Sequence, residues 1–160
     1  MLDFGREFAD YIAGRVTTFQ GDPQTSGFGG KKSRQDPSGE ITTGPAGATI
    51  VELIGDVGAG KTTFVRGLAE GLGATTPVTS PSFTISKSYP LPNNRNLVHY
   101  DFYRLPDVGL MAEDLSESLS DPNNIVVVEW GASVNNLLPD HRIVINIQYD
   151  DTGNRDILVN

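Results

Sequence analysis

The 160-residue chain contains no cysteine, which excludes disulfides and thiolate metal sites and removes any argument for an oxidising compartment. Long apolar runs are missing as well. No stretch approaches the roughly 20 residues that span a bilayer, and Asp3, Arg6, Glu7, Asp10 and Arg15 interrupt the region where a secretory signal would keep its apolar segment. A cytoplasmic protein with no membrane contact is the expectation. Basic charge is scarce: 12 Lys and Arg stand against 20 Asp and Glu, for a formal charge of −8. Affinity for DNA or RNA rests largely on cations that neutralise phosphates. A DNA-binding role is therefore disfavoured, and any contact with nucleic acid is expected to run through a protein partner. There is no internal repeat, and the length suits one domain with one catalytic centre rather than a nucleotide site plus a separate substrate domain.

What is present concentrates in Gly55-Asp56-Val57-Gly58-Ala59-Gly60-Lys61-Thr62, which fits the phosphate-loop spacing G-x-x-x-x-G-K-[ST]. Its glycines let the backbone turn tightly with N–H groups pointing inward, and the helix that follows adds the positive end of its dipole. In such loops the lysine reaches the β- and γ-phosphates and the next hydroxyl is a magnesium ligand, roles that fall here to Lys61 and Thr62. The context agrees: Ala48 to Ile54 reads as a buried strand entering the loop. Thr63 to Leu72 reads as a helix leaving it, with Phe64, Val65, Leu68, Ala69 and Leu72 on one face and Gly73 as its stop. Asp56, Val57, Gly58, Ala59, Gly60, Lys61, Thr62 and Thr63 form the expected ATP-binding segment.

Elsewhere, Leu2 to Val16 carries Phe4, Phe8, Tyr11, Ile12 and Val16 at helical spacing and reads as an amphipathic first helix. From Thr17 to Gly47 no period of either kind survives, which marks a long loop or flexible insertion; its one charge run, Lys31-Lys32-Ser33-Arg34, is read as a solvated face. The hydroxyl-rich stretch Thr75 to Phe83 is either a γ-phosphate sensor or an ordinary connection. Ser82 to Tyr89 and Leu97 to Tyr103 form an expected hairpin around Pro90, Pro92 and Asn93-Asn94. In its second strand Val98, Tyr100 and Phe102 alternate with His99, Asp101 and Tyr103, as in a strand with one packed and one functional side. Asp101 is thus a candidate carboxylate, and His99 is read as a hydrogen-bonded structural residue.

Pro106 to Leu119 reads as a helix that turns Glu113, Asp114 and Glu117 to water. Ile125-Val126-Val127-Val128-Glu129 has the form of a Walker B strand, with Glu in place of Asp, whose carboxylate reaches the magnesium sphere. Trp130 is expected to pack, and Arg142 to Tyr149 with Arg155 to Val159 to make a terminal hairpin. The whole is expected to be an α/β, P-loop NTPase-like three-layer domain with a central mixed β-sheet.

Four motifs in order, Gly55 to Thr63, Val78-Thr79-Ser80-Pro81-Ser82-Phe83, His99-Tyr100-Asp101-Phe102-Tyr103-Arg104 and Glu129-Trp130, resemble the TsaE (formerly YjeE) family. The resemblance covers about Ala48 to the C-terminus, with Phe4 to Gly14 similar to the family's first helix. It departs in Ser82, where the family usually has threonine, and in the long stretch Thr17 to Gly47. It implies an ATPase using ATP and Mg²⁺ that acts on a TsaD–TsaB type protein complex, and through it on tRNA, in threonylcarbamoyl modification of adenosine. In that picture Thr79 to Phe83 is a first switch and His99 to Arg104 a second. Lys61, Asp101 and Glu129 are the catalytic set: Thr62 and Glu129 hold the metal, and Asp101 positions or activates water or holds a metal-bound water. Arg104 either supplies positive charge or makes a salt bridge. The rival functions are a small P-loop kinase and a non-hydrolysing ATP-dependent binding module.

Overall fold

The computed structural model describes residues 1–14, 47–103, 105, 109, 111–150 and 153–160. The segment Thr17 to Gly47, apart from Gly47 itself, therefore lies outside the described residues, as do Val16 at the end of the expected first helix, Arg104, and residues 106–108 and 110 of the helix expected from Pro106.

The apolar, β-branched runs form β1 (Thr49–Ile54) and β4 (Asn124–Glu129), and runs of that kind belong to parallel strands covered on both faces. With β2 (Ser86–Leu91), β3 (Arg95–Asp101), β5 (Ile143–Tyr149) and β6 (Arg155–Val159) they make a six-stranded sheet in the order β2-β3-β4-β1-β5-β6. β3, β4, β1 and β5 run parallel, while β2 and β6 pair antiparallel at the two edges. Helices α1 (Leu2–Ile12) and α2 (Lys61–Gly71) cover one face through Phe4, Phe8, Phe64 and Leu68. Helix α3 (Met111–Ser120) and the 3₁₀ turn Gly131–Val134 cover the other through Leu115 and Val134. The expected three-layer domain with a mixed sheet is the one observed.

Local chemistry accounts for the boundaries. Helix α2 ends in a Schellman motif: Gly73 holds φ of 90°, its N–H donates to the Glu70 carbonyl, and the Ala74 N–H donates to Ala69. The first hairpin starts later than its alternation suggests, because Ser82 to Thr84 form a turn and Ile85 adopts a left-handed φ of 66° before β2 begins. β2 continues through Pro90, which an edge strand tolerates. Both faces of β3 are covered by helical layers, so Leu97 to Asp101 are all buried, and the side expected to be functional, that of His99 and Asp101, is packed as well. Asp114 is exposed on α3, as expected, and also accepts a hydrogen bond from the Tyr100 hydroxyl at 2.6 Å; burial, aided by that carboxylate, pushes the Tyr100 phenol well up.

Helices α1 and α2 meet through small residues. A Cβ on Gly67 would collide with the carbonyl oxygen of Leu2, and one on Gly5 with that of Phe64, while one on Gly71 would lie 2.6 Å from the Ala9 methyl. At an exposed helical position Gly→Ala gains about 1 kcal/mol from propensity. Across this contact the new methyl forces the backbones apart, at about 3 kcal/mol. Gly67→Ala is therefore expected to lower stability by about 2 kcal/mol in urea unfolding, and a stabilised variant would contradict the packing described.

Candidate functional site

At the end of β1 the chain passes through Gly55 to Gly60 before α2 starts at Lys61. Gly58 and Gly60 hold φ of 85° and 108°, values that strain any side chain. Gly55 is needed for closeness instead, since a Cβ there would meet the carbonyl oxygen of Ile147 on β5. Lys61 is only 5% exposed. Its Nζ donates to the carbonyls of Gly55 (2.7 Å) and Asp56 (2.9 Å) and lies 4.5 Å from the centre of the Trp130 ring. All three partners are neutral, so the ammonium is held in place without being tied to a carboxylate, at the positive end of α2.

Facing the loop, β3 and β4 end side by side. Asp101 and Glu129 are register partners, and Leu53 of β1 lies beside Glu129. Register partners in parallel strands point to the same face, so both carboxylates emerge under the start of α2, with His99 two residues earlier on that row. Glu129 is 3% exposed. Its Oε1 accepts the Thr62 hydroxyl at 3.3 Å and His99 Nε2 at 2.9 Å. Because a carboxylate only accepts, Nε2 carries the proton there, while Nδ1 is buried without a hydrogen-bond partner. The structural reading of His99 holds, and its object is Glu129.

Asp101 is held on both oxygens, Oδ2 accepting the Ser82 hydroxyl at 2.5 Å and Oδ1 the Tyr103 N–H at 3.1 Å. Ser80 Oγ lies 2.7 Å from Ser82 Oγ, so the hydroxyl-rich stretch is wired to the candidate carboxylate. Trp130, expected to pack, does so against Tyr103 at 4.8 Å between ring centres, but from a left-handed backbone (φ 60°) that also turns its ring toward Lys61 in the cleft.

These groups line a cleft of about 350 Å³. Lys61, Thr62, Asp101 and Glu129 meet there; Val57, Gly58, Gly60 and Thr63 also line it, whereas Asp56 and Ala59 support the loop from within. Asp56 contributes through its carbonyl, which accepts Lys61 and the Ala59 N–H. Among the described residues no cluster of three or more His, Asp or Glu could hold a metal by itself. The Thr62 and Glu129 oxygens, 3.3 Å apart, nonetheless suit a small hard cation that keeps most of its coordination for phosphate and water. Sequence reasoning missed Tyr149 and Arg155, which touch the carbonyls of Gly58 and Ala59 from the terminal hairpin. No local pattern flags them, because the contact spans some ninety positions.

The sequence model described as "Threonylcarbamoyl adenosine biosynthesis protein TsaE" matches residues 30–157. The chain belongs to the TsaE family. The tRNA threonylcarbamoyladenosine biosynthesis protein TsaE of Streptomyces coelicolor is 43% identical over 99 residues, covering 61% of this chain and 67% of the relative. Its Bacillus subtilis counterpart is 41% identical over 112 residues, covering 68% and 66%. The crystal structure of YdiB from Bacillus subtilis superposes with a TM-score of 0.53 at 34% identity, covering 69% of this chain and 66% of that one. The chain thus spans about two thirds of the length of these TsaE relatives. Each of the four TsaE motifs, scattered from Gly55 to Trp130, contributes residues to the lining of one cleft, Lys61 and Thr62, Ser80 and Ser82, Asp101 and Tyr103, and Glu129 and Trp130 among them.

The His99–Glu129 contact yields a stability test. His99→Leu leaves a buried carboxylate short of one donor and is expected to cost about 1–3 kcal/mol in urea unfolding. Combining it with Glu129→Leu removes both partners and should restore most of the loss; a double variant that loses as much stability as the two single variants together, or more, would refute the pairing.

Proposed function

We propose that this TsaE protein binds ATP with Mg²⁺ in the cleft and hydrolyses it to ADP and phosphate. We further propose that it does so as the accessory ATPase of a TsaD–TsaB type complex that places a threonylcarbamoyl group on tRNA adenosine. The observation that carries the first part is the buried Lys61 ammonium, held by neutral partners at the glycine loop and the N-terminus of α2. The second part is supported by the relatives' names, and by an acidic chain suited to reaching tRNA through protein.

In this reading the loop N–H groups and Lys61 Nζ take the phosphate oxygens, the latter leaving the Gly55 and Asp56 carbonyls as it does so. Thr62 Oγ1 and Glu129 Oε1, now sharing a hydrogen bond, would hold Mg²⁺ between them. That ion, when bound, offsets charge on the β- and γ-phosphates. His99 Nε2 keeps the Glu129 carboxylate from rotating away. Asp101, fixed by Ser82 and Tyr103, accepts a hydrogen bond from the attacking water and orients it. Such groups act by being in place before charge shifts onto the leaving phosphate, and need little movement to do so.

Phosphate release measured with the purified partner complex tests this. Lys61→Ala should weaken ATP binding and abolish turnover. Asp101→Asn and Glu129→Gln should each lower turnover about 10- to 1000-fold with much less change in ATP affinity, the range lost with one preorganised group. Glu113→Gln and Glu117→Gln, on the exposed side of α3, should turn over like the parent. Phosphate transfer to an added nucleoside or nucleotide would favour a kinase, and ATP binding without release even with partners would favour a binding module.

A further inference from the structure

Tyr149 and Arg155 are the last cross-strand pair of the β5–β6 hairpin, beside the phosphate loop and outside the cleft. Tyr149 Oη donates to the Gly58 carbonyl at 2.9 Å and Arg155 Nε to the Ala59 carbonyl at 2.9 Å. They also brace each other: Arg155 Nη2 donates to Tyr149 Oη at 3.3 Å, and the guanidinium lies 5.2 Å from the centre of the phenol ring. Arg155 Nε would sit 3.5 Å from a Cβ on Gly60, so the side chain is laid along the loop.

From this geometry we infer that Tyr149 and Arg155 are positioning residues that set the phosphate cradle from behind. A trans peptide is planar, with its C=O and N–H pointing opposite ways. Holding the Gly58 oxygen outward turns the Ala59 N–H inward, where it meets the Asp56 carbonyl at 3.2 Å. Holding the Ala59 oxygen outward does the same for the Gly60 N–H, on the cleft side. The glycines at 58 and 60 make these donors necessary: the freedom that permits φ of 85° and 108° also permits either peptide to flip in an empty loop. A phosphate binding to a preset cradle does not have to order it first.

The inference rests on the nucleotide reading above, and the test separates the two. Calorimetry on the full chain would compare Mg·ATP with Mg·tripolyphosphate, which lacks a nucleoside, for the parent, Tyr149→Phe, Arg155→Gln and the control Asp156→Asn, an exposed neighbour on β6. Tyr149→Phe and Arg155→Gln should each weaken both ligands by about 3- to 10-fold, the worth of one hydrogen bond, with ligand-free thermal stability little changed and the control like the parent. Weakening of ATP alone would mean that the pair holds the nucleoside, and would overturn the inference. So would unchanged binding, or an equal loss in Asp156→Asn. A parent that binds neither ligand would overturn the nucleotide reading itself.

Discussion

The carboxylate of Glu129 is the joint on which the site depends. It ends the central strand β4, accepts Thr62 from the first turn of α2 and accepts His99 from β3. At 3% exposure an unpaired carboxylate would be costly, so the two donors are required for the fold as much as for chemistry. Their consequence is that loop, helix and second strand cannot shift independently around the cleft. Asp101, its register partner, is held on the same row by the Ser82 turn, which ties the hydroxyl-rich stretch to the same joint.

Glycine serves this protein in two distinct ways. At Gly58 and Gly60 it supplies left-handed backbone, so that the loop can curl around an anion. At Gly5, Gly67 and Gly71 it supplies absence, letting α1 lie against α2 at backbone distance. The second use serves the first. Helix α2 carries Lys61 and Thr62 on its first turn, and α1 holds that helix on the sheet through Phe4 and Phe8, whose rings both lie 5.6 Å from Phe64. On the opposite face a part-buried ion pair, Arg142 Nε to Glu52 Oε2 at 2.6 Å, ties the residue before β5 to β1 beneath Gly131, where a Cβ would come within 2.6 Å of the Glu52 carboxylate. The turn that carries Trp130 is thus seated from below.

Much of this was legible in the chain itself. The glycine loop, its strand and its helix follow from spacing and periodicity, because phosphate-loop geometry is local: every residue it needs lies within eight positions. The four-motif resemblance likewise led to the TsaE family and to the mixed sheet with helices on both faces. Strand boundaries fared less well. β2 begins after Ser82 because Ile85 takes a left-handed conformation that no propensity announces. Alternation put His99 and Asp101 on one face of a strand, but it cannot say that a helical layer also covers that face and buries both.

The sequence by itself determined the local features: where the backbone can curl, where a helix follows the glycine loop, which strands are buried. Only the tertiary structure decided what each carboxylate faces and who supports the loop. Asp101 and Glu129 become neighbours through parallel register between β3 and β4, and Tyr149 and Arg155 reach Gly58 and Ala59 because β5 pairs with β1 and carries β6 at its side. Register and strand order are set by the packing of whole faces, a property of many residues at once, so contacts some ninety positions apart leave no mark in any one stretch of the chain.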